Sequence, residues 1–564
     1  MSARYPTLAA AVMAGTAKDR GVRFREPDGE RAMSYAELAS EVRRVARVLL
    51  DRGLRPGDRL GMLVSDNRDF LTGFLGAICG GVVPVPMYPP LMLGGLDVYV
   101  QSAARILVNA EARGVFASRA LVPLVADIAG RVPSIDVVLE AEECSYCPPD
   151  LALPDVQPDH LAFLQFTSGT TSAPKGVMVT HRALMANASA LAFDVLRVDP
   201  RRDWGVSWLP MYHDMGLIGM TIVPLIMQAS MWFLPPLTFL KAPTSWIEAI
   251  HEVGASISFA PNFAYSLVTR RATEAQLGRW NLSRWRVAGC GAELINPKTL
   301  VAFQEKLARC GFRPSAFLPC YGMAEATLAI TMTPVDEGMT TIPIDRARLA
   351  ETGTAVRATE PASALELVSC GCPLPGHEVW IVDDAGTDVP EGHVGEITVR
   401  GPSITTGYFE DPVATASTFR NGWLHTGDLG FIRDGLLYVS GRQKELIILN
   451  GRNYHPEPIE WAAAEVEGVR RGAVVAFSRV GADGEQLVIA LESSNETAEE
   501  TLPRRVAKKI RGDLGLHVSD VFIVPPRSIP KTTSGKLRRN HARALYLGAL
   551  AARGQDGQPP SVVR

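Results

Sequence analysis

Between Tyr35 and Arg52 the apolar residues Leu38, Val42, Val45 and Leu49 recur at helical spacing, behind Ser34, whose hydroxyl suits a helix start. Arg59–Val64 is a short apolar run that reads as a strand, and Asn67–Gly80 returns to helical spacing. Further on, His160–Phe166 reads as a strand and His181–Phe193 as a helix. Such alternation through about residue 440 predicts α/β sheets with largely parallel strands. Trp380–Asp383, Gly395–Val399 and Leu436–Ser440 lie among Gly and Pro turns and predict a smaller β-rich unit. After Gly441 comes a compact α/β pattern. Its helices are Pro458–Glu467 and Thr501–Leu514, and its strands are Gly472–Ser478, Gln486–Ser493 and Asp520–Val524. The polar tail from Gly554 predicts a frayed end.

Two uncharged stretches, Phe70–Leu96 and Met215–Leu240, are long enough to cross a bilayer. Prolines and glycines break both: Gly80, Gly81, Pro84, Pro86, Pro89 and Pro90 in the first, Pro224, Pro235 and Pro236 in the second. The first reads as a buried helix followed by strand Val82–Val85. The second reads as a helix to about Gln228 followed by strand Met231–Leu234. No membrane span is expected. Leu8–Met13 is too short for a secretion signal and runs into Lys18, Asp19 and Arg20.

With 564 residues the chain can bury several cores. Its 47% hydrophobic and 21% charged residues fit a globular class, and a net charge of −3 gives no global pull toward nucleic acid. The charge is uneven: Gly441–Arg564 holds 19 Lys/Arg against 14 Asp/Glu, the right sign for an acidic partner. Among eight cysteines, Cys144-x-x-Cys147 and Cys370-x-Cys372 have no histidine at zinc-finger spacing. Reduced thiols in a cytoplasmic protein are expected.

The strongest local signal is LQFTSGTTSAPKGVMVTH, Leu164 to His181. An apolar strand enters a loop of small hydroxyl and glycine residues, whose N–H and Oγ groups can converge on an anion. Lys175 adds a point charge. This suits the phosphates of ATP, although it is no Walker A loop, because six residues separate Gly169 from Gly176 and Lys175 precedes the second glycine. By composition alone, a flexible Ser/Thr/Gly loop fits as well.

Leu164–His181 resembles the phosphate loop of the adenylate-forming superfamily: acyl-CoA synthetases, peptide-synthetase adenylation domains and luciferases. Further blocks follow in the family's order: SWLPMYHDMGLIG (Ser207–Gly219), CYGMAEAT (Cys320–Thr327), WLHTGD (Trp423–Asp428), GRQKELIILNG (Gly441–Gly451) and PKTTSGKLRR (Pro530–Arg539). The resemblance implies an α/β fold. A large N-terminal domain, 1–441, would hold two parallel α/β sheets and a small β-rich subdomain. A small α/β C-terminal lid domain, 442–564, would be joined by a hinge at Lys444. It implies ATP and Mg²⁺, and attack of a carboxylate on the α-phosphate with pyrophosphate leaving.

Residue by residue, the resemblance assigns ATP to Thr167, Ser168, Gly169, Thr170, Thr171, Lys175, Gly291, Ala292, Glu293, Tyr321, Gly322, Asp428 and Arg442. Tyr321 would lie beside the adenine, and Asp428 and Arg442 would hold the ribose hydroxyls. Glu325 would hold Mg²⁺, which prefers carboxylate oxygen. Lys536 would bridge the substrate carboxylate and the α-phosphate as the catalytic lysine. His213 would stand at the entrance of the acyl pocket. Ala324 occupies a position where many relatives have threonine, so that phosphate contact is expected to be missing.

VPMYPP (Val85–Pro90), APNFAY (Ala260–Tyr265), GCGAELINPKTL (Gly289–Leu300) and GRNYHPEPIE (Gly451–Glu460) are similar to fatty acyl-AMP ligases. That branch implies a fatty acid substrate and transfer of the acyl group to the phosphopantetheine thiol of an acyl carrier protein. The acceptor could equally be a carrier domain of a polyketide or peptide synthase, in trans. Three features support it. Glu325 lies 46 positions before Gly371, and the extra stretch, about 343–366, resembles a ligase-specific insertion that restrains the C-terminal domain. An ordinary surface loop is the plainer alternative. Ile448 stands where several thioester-forming relatives carry lysine. The stretches around Ile218, Phe259, Asn262 and Tyr265 suit an apolar acyl pocket, and core packing explains them equally. Rival readings are a fatty acyl-CoA synthetase and a non-catalytic nucleotide- or lipid-binding relative. A serine hydrolase is disfavoured, since no Gly-x-Ser-x-Gly elbow appears.

Overall fold

The computed structural model describes residues 4–26, 29–90, 96–146, 150–167, 174–449, 451–481, 484–494, 501–529, 531 and 536–555. Helix Tyr35–Asp51 begins with a full capping box, in which Ser34 and Glu37 satisfy each other's backbone N–H groups. Its Leu38, Val42, Val45 and Leu49 are buried against helix Asn67–Cys79, as the helical spacing predicts.

Six strands stand side by side, each parallel to its neighbour: Phe317–Gly322, Val287–Gly291, Ile257–Pro261, Trp204–Ser207, Ser230–Phe233 and Gly21–Glu26. The sheet is largely parallel, as expected, with antiparallel strands at its edges. Gly29–Ser34 closes one edge antiparallel, and Ala329–Met332 with Cys372–Pro373 closes the other. At Gly29–Ser34 and Ala329–Met332 the short connection leaves only antiparallel pairing, since a parallel neighbour needs a long crossover. A second sheet, Val83–Pro86, Arg59–Leu63, Ala112–Ala117 and Val137–Glu140, is parallel throughout. Leu161–Thr167 and Lys175–Thr180 form their own antiparallel pair, so the phosphate loop joins two strands of one ribbon.

The described residues of the long apolar stretches are mostly buried, and no described helix is long and apolar enough to cross a membrane. Met215–Ile222 winds as a π-helix into the short α-helix Val223–Met227. Pro224 has no N–H to donate one turn back, and the wider winding ahead of it absorbs that break. Thr221 Oγ1 donates to Gly216 O at 2.9 Å.

Glu378–Val382, Gly395–Arg400, Trp423–Arg433 and Leu436–Arg442 build the expected β-rich unit. The stretch read as a possible surface loop is folded: Thr341–Asp345 pairs with Ala364–Val368 around helix Arg346–Thr352. Ile342, Ile344, Leu349 and Leu367 bury against Phe431 and Tyr438.

The C-terminal domain has a three-stranded sheet, Val469–Gly481, Gly484–Ser493 and Val518–Val524. Helices Pro456–Ala464 and Leu502–Leu514 share one apolar cluster with it. A helix absent from the expected pattern, Arg539–Gln555, packs Ala542 and Tyr546 into a second cluster. Leu545 and Leu547 are exposed, so its apolar residues form no clean stripe.

Candidate active site

The phosphate-loop residues divide. Thr167 ends its strand, Lys175 opens the return strand, and Ser168, Gly169, Thr170 and Thr171 lie outside the described residues. Lys175 Nζ stands 4.7 Å from the centre of the Tyr408 ring, a cation–π contact. The Tyr408 hydroxyl donates to Glu325 Oε1 at 2.8 Å. Tyr408 therefore joins two residues assigned from separate motifs. Sequence reasoning missed it, since a single loop tyrosine carries no periodic or spacing signal. It is placed by backbone bonds of Met178 N–H to Gly407 O (3.0 Å) and Phe409 N–H to Gly176 O (2.8 Å).

Glu325 is buried, and burial pushes its carboxyl above the usual range, against the Tyr408 hydrogen bond. Asp214 adds to the rise and Arg442 opposes it, so both charges act at this position. No group of three His, Cys, Asp or Glu side chains suited to a metal occurs among the described residues. One buried carboxylate, joined through Tyr408 to Lys175, fits Mg²⁺, which is held by one or two carboxylates plus substrate phosphates. Gln165 Nε2 donates to Tyr212 O at 3.1 Å, which ties the strand before the phosphate loop to the turn carrying His213 and Asp214.

Strands Trp423–Arg433 and Leu436–Arg442 set Asp428 opposite Arg442. Arg442 Nε donates to Asp428 Oδ1 at 2.7 Å, and the Tyr321 hydroxyl donates to Asp428 Oδ2 at 2.7 Å. Burial first, then the Asp428 carboxylate, push the Tyr321 phenol far up, so it remains a donor. Glu396 braces the turn, accepting from Gly427 N–H (3.0 Å) and lying 2.8 Å from His425 Nδ1.

Gly291 ends strand Val287–Gly291 and Ala292 and Glu293 follow it, while Tyr321 and Gly322 end the parallel strand next to it. A Cβ on Gly322 would lie 1.9 Å from Leu328 O, so only glycine fits there. Ala292 is exposed with φ +71°. Glu293 accepts from Phe263 N–H at 2.9 Å, at the start of helix Asn262–Arg271. Burial raises its carboxyl, while the positive charges of Lys536 and Lys531 pull it down. An isolated bridge between Lys531 and Leu537 closes the loop that ends at Lys536.

His213 packs edge-on to Tyr212 at 4.9 Å, just before the π-helix. Of the four acyl-pocket candidates, Ile218 is buried in that π-helix. The Phe259 ring crosses Gly289, where a Cβ would stand 1.9 Å from it. Asn262 Oδ1 is buried with no hydrogen-bond partner. Tyr265 is corrected to a core residue. It is 0% exposed, edge-on to Trp246, Phe303 and Phe317, and its hydroxyl donates to Gly289 O at 2.8 Å.

Arg442 belongs to the last strand of the β-rich unit, and Lys444 lies exposed in the turn Gln443–Glu445 that follows. Polar contacts link the two domains across this connection. Arg346 Nη1 donates to Asp513 O at 2.6 Å, Glu351 pairs with Arg452, and Lys298 Nζ is 3.0 Å from Glu465 Oε1. The first two start from the folded insertion.

The AMP-binding enzyme family model matches residues 9–409. A relative from Caulobacter vibrioides, a putative acyl-CoA synthetase, is 38% identical over 554 residues, covering 97% of this chain and 96% of its own length. The long-chain-fatty-acid–AMP ligase FadD26 of Mycobacterium tuberculosis is 31% identical over 544 residues, 91% of each chain. A solved structure from functional studies of fatty acyl-adenylate ligases of E. coli and L. pneumophila is 34% identical, with a TM-score of 0.91. The match covers 97% of this chain and 99% of that one.

Proposed function

We infer the function of this chain from the family to which it belongs, the AMP-binding enzymes. We propose that it activates a fatty acid with ATP as fatty acyl-AMP. The acyl group then passes to the phosphopantetheine thiol of an acyl carrier protein, or a carrier domain, acting in trans in the cytoplasm. The observation that carries the first half is the gathering of Lys175, Tyr408 and Glu325 at one locus, with the Tyr321–Asp428–Arg442 cluster beside it.

In this reading Asp428 exchanges the Tyr321 and Arg442 bonds for ribose hydroxyls, a change suited to an acceptor-only group. Lys175 and the phosphate loop hold the β- and γ-phosphates. Lys536 neutralises charge between the incoming carboxylate and the α-phosphate, where an oxygen of the acid bonds to phosphorus as the bond to pyrophosphate breaks. Mg²⁺, held through Glu325, supplies further charge neutralisation when bound. His213, Ile218, Phe259 and Asn262 border the acyl entrance.

The relatives divide between CoA-named and AMP-named ligases, so the acceptor must be argued separately. The contacts of the insertion, Arg346 to Asp513 and Glu351 to Arg452, favour a C-terminal domain held in one pose. Ile448, 45% exposed, puts no cation where CoA phosphates would gain one. A single acid assayed with CoA and with carrier protein decides. The expected product is acyl-carrier thioester with little acyl-CoA. The double variant Arg346→Ala/Glu351→Ala raises the acyl-CoA yield several-fold with adenylate formation retained. Efficient acyl-CoA formation by the unaltered enzyme would make it an acyl-CoA synthetase, the reading that the Caulobacter relative's name favours.

A further inference from the structure

Beneath Glu325 lies a buried polar frame to which none of these roles appeals. Glu325 sits in the short turn Ala324–Ala326, and Thr327 follows with φ +71° and ψ −60°. Leu328 N–H donates to Ala326 O at 2.9 Å, closing a γ-turn around Thr327. A β-branched residue holds that conformation only where its surroundings over-determine it. Here they do. Thr327 Oγ1 donates to Ser403 O at 2.7 Å, and Ser403 Oγ donates to Ala326 O at 3.1 Å. Thr405 N–H and Oγ1 both donate to Glu325 O at 2.9 Å. Asn187 Nδ2 donates to Ser403 Oγ and to Ala329 O, each at 2.9 Å, and His377 Nε2 lies 2.7 Å from Ser403 Oγ. All these side chains are buried. At the end of the same strap, Tyr408 holds Glu325 Oε1.

We propose that the strap Ser403–Tyr408, backed by Asn187, is a positioning device for the Glu325 carboxylate. It fixes the backbone of the turn from below and one carboxylate oxygen from the side. The proposal rests on Glu325 being the Mg²⁺ ligand. A ligand held in advance loses little freedom when the metal arrives, which is why groups behind a ligand affect affinity. A frame needed only for packing would gain from apolar side chains, since buried hydroxyls and amides cost desolvation. Glycine at position 327 would also relieve the turn, because it adopts positive φ freely.

Mn²⁺ binding, followed by electron paramagnetic resonance on protein saturated with a non-hydrolysable ATP analogue, gives a readout independent of turnover. Thermal melting is recorded beside it. Tyr408→Phe keeps the ring under Lys175 and removes only the hydroxyl. It and Ser403→Ala are expected to raise the Mn²⁺ Kd about 10-fold. Thr327→Gly is expected to weaken Mn²⁺ while melting no lower than the parent. Glu325→Gln weakens it most. An unchanged Kd in Tyr408→Phe and Ser403→Ala, with Glu325→Gln impaired, overturns the positioning role and leaves a structural one. An unchanged Kd in Glu325→Gln as well overturns the metal assignment together with it.

Discussion

Replacing Lys536 with alanine lowers acid-dependent ATP–pyrophosphate exchange by about 10²–10³-fold, the cost of losing one preorganised charge partner in a transition state. The loss falls on kcat. In the proposed reading ATP is held by the Lys175 locus and the Asp428–Arg442 pair, which this substitution leaves in place. KM for ATP therefore changes little, the pattern of an interaction made only in the transition state. Near-normal exchange in the variant would remove Lys536 from the mechanism.

Arg539→Leu is expected to destabilise the C-terminal domain by about 3–5 kcal/mol, the usual cost of removing one partner from a buried ionic cluster. Arg539 opens the helix three residues after Lys536 and is almost wholly enclosed. Its Nε and Nη2 reach Glu460 Oε1 and Oε2, each at 2.8 Å, and Nη2 lies 3.1 Å from Glu457 Oε1. Nη1 meets Glu445, in the turn that carries Lys444. One guanidinium thus ties the end of the Lys536 loop to the connection between domains. Three carboxylates face a single cation, and burial pushes Glu457 up to about 7, against the pull of Arg539. Since the folded-state value exceeds the unfolded one of 4.5, the folded protein binds that proton more tightly. Stability from this group is therefore lost as pH rises from about 4.5 through 7. Glu457→Gln removes the dependence, so its melting temperature varies less between pH 5 and 8. A variant melting in parallel with the parent across that range would contradict the assignment of the proton to Glu457.

The sequence was most informative where chemistry is local. The helix start at Ser34, the buried face of Tyr35–Asp51 and the strands around residue 490 follow from the local sequence. The motif resemblance also set Asp428 and Arg442 as a pair before their 2.7 Å contact was seen. What stayed hidden depends on contacts far apart in the chain. Tyr408 is 83 residues from Glu325, and Glu460 is 79 from Arg539, and neither pairing has a periodic signature. Tyr265 was misplaced because an apolar run looks the same whether it lines a pocket or fills a core. The antiparallel strands at the sheet edges carry no mark in an alternating pattern, which reports crossovers and is silent on short reversals such as Gly29–Ser34 and Ala329–Met332.

Acyl-adenylate formation is read from the products by mass spectrometry. The enzyme is incubated with ATP, Mg²⁺ and a panel of acids, with no thiol acceptor present. The account predicts a fatty acyl-AMP and pyrophosphate in equal amounts, favouring fatty acids over short or aromatic ones. ATP turned over to ADP and phosphate, or no acyl-AMP from any acid in the panel, would contradict it.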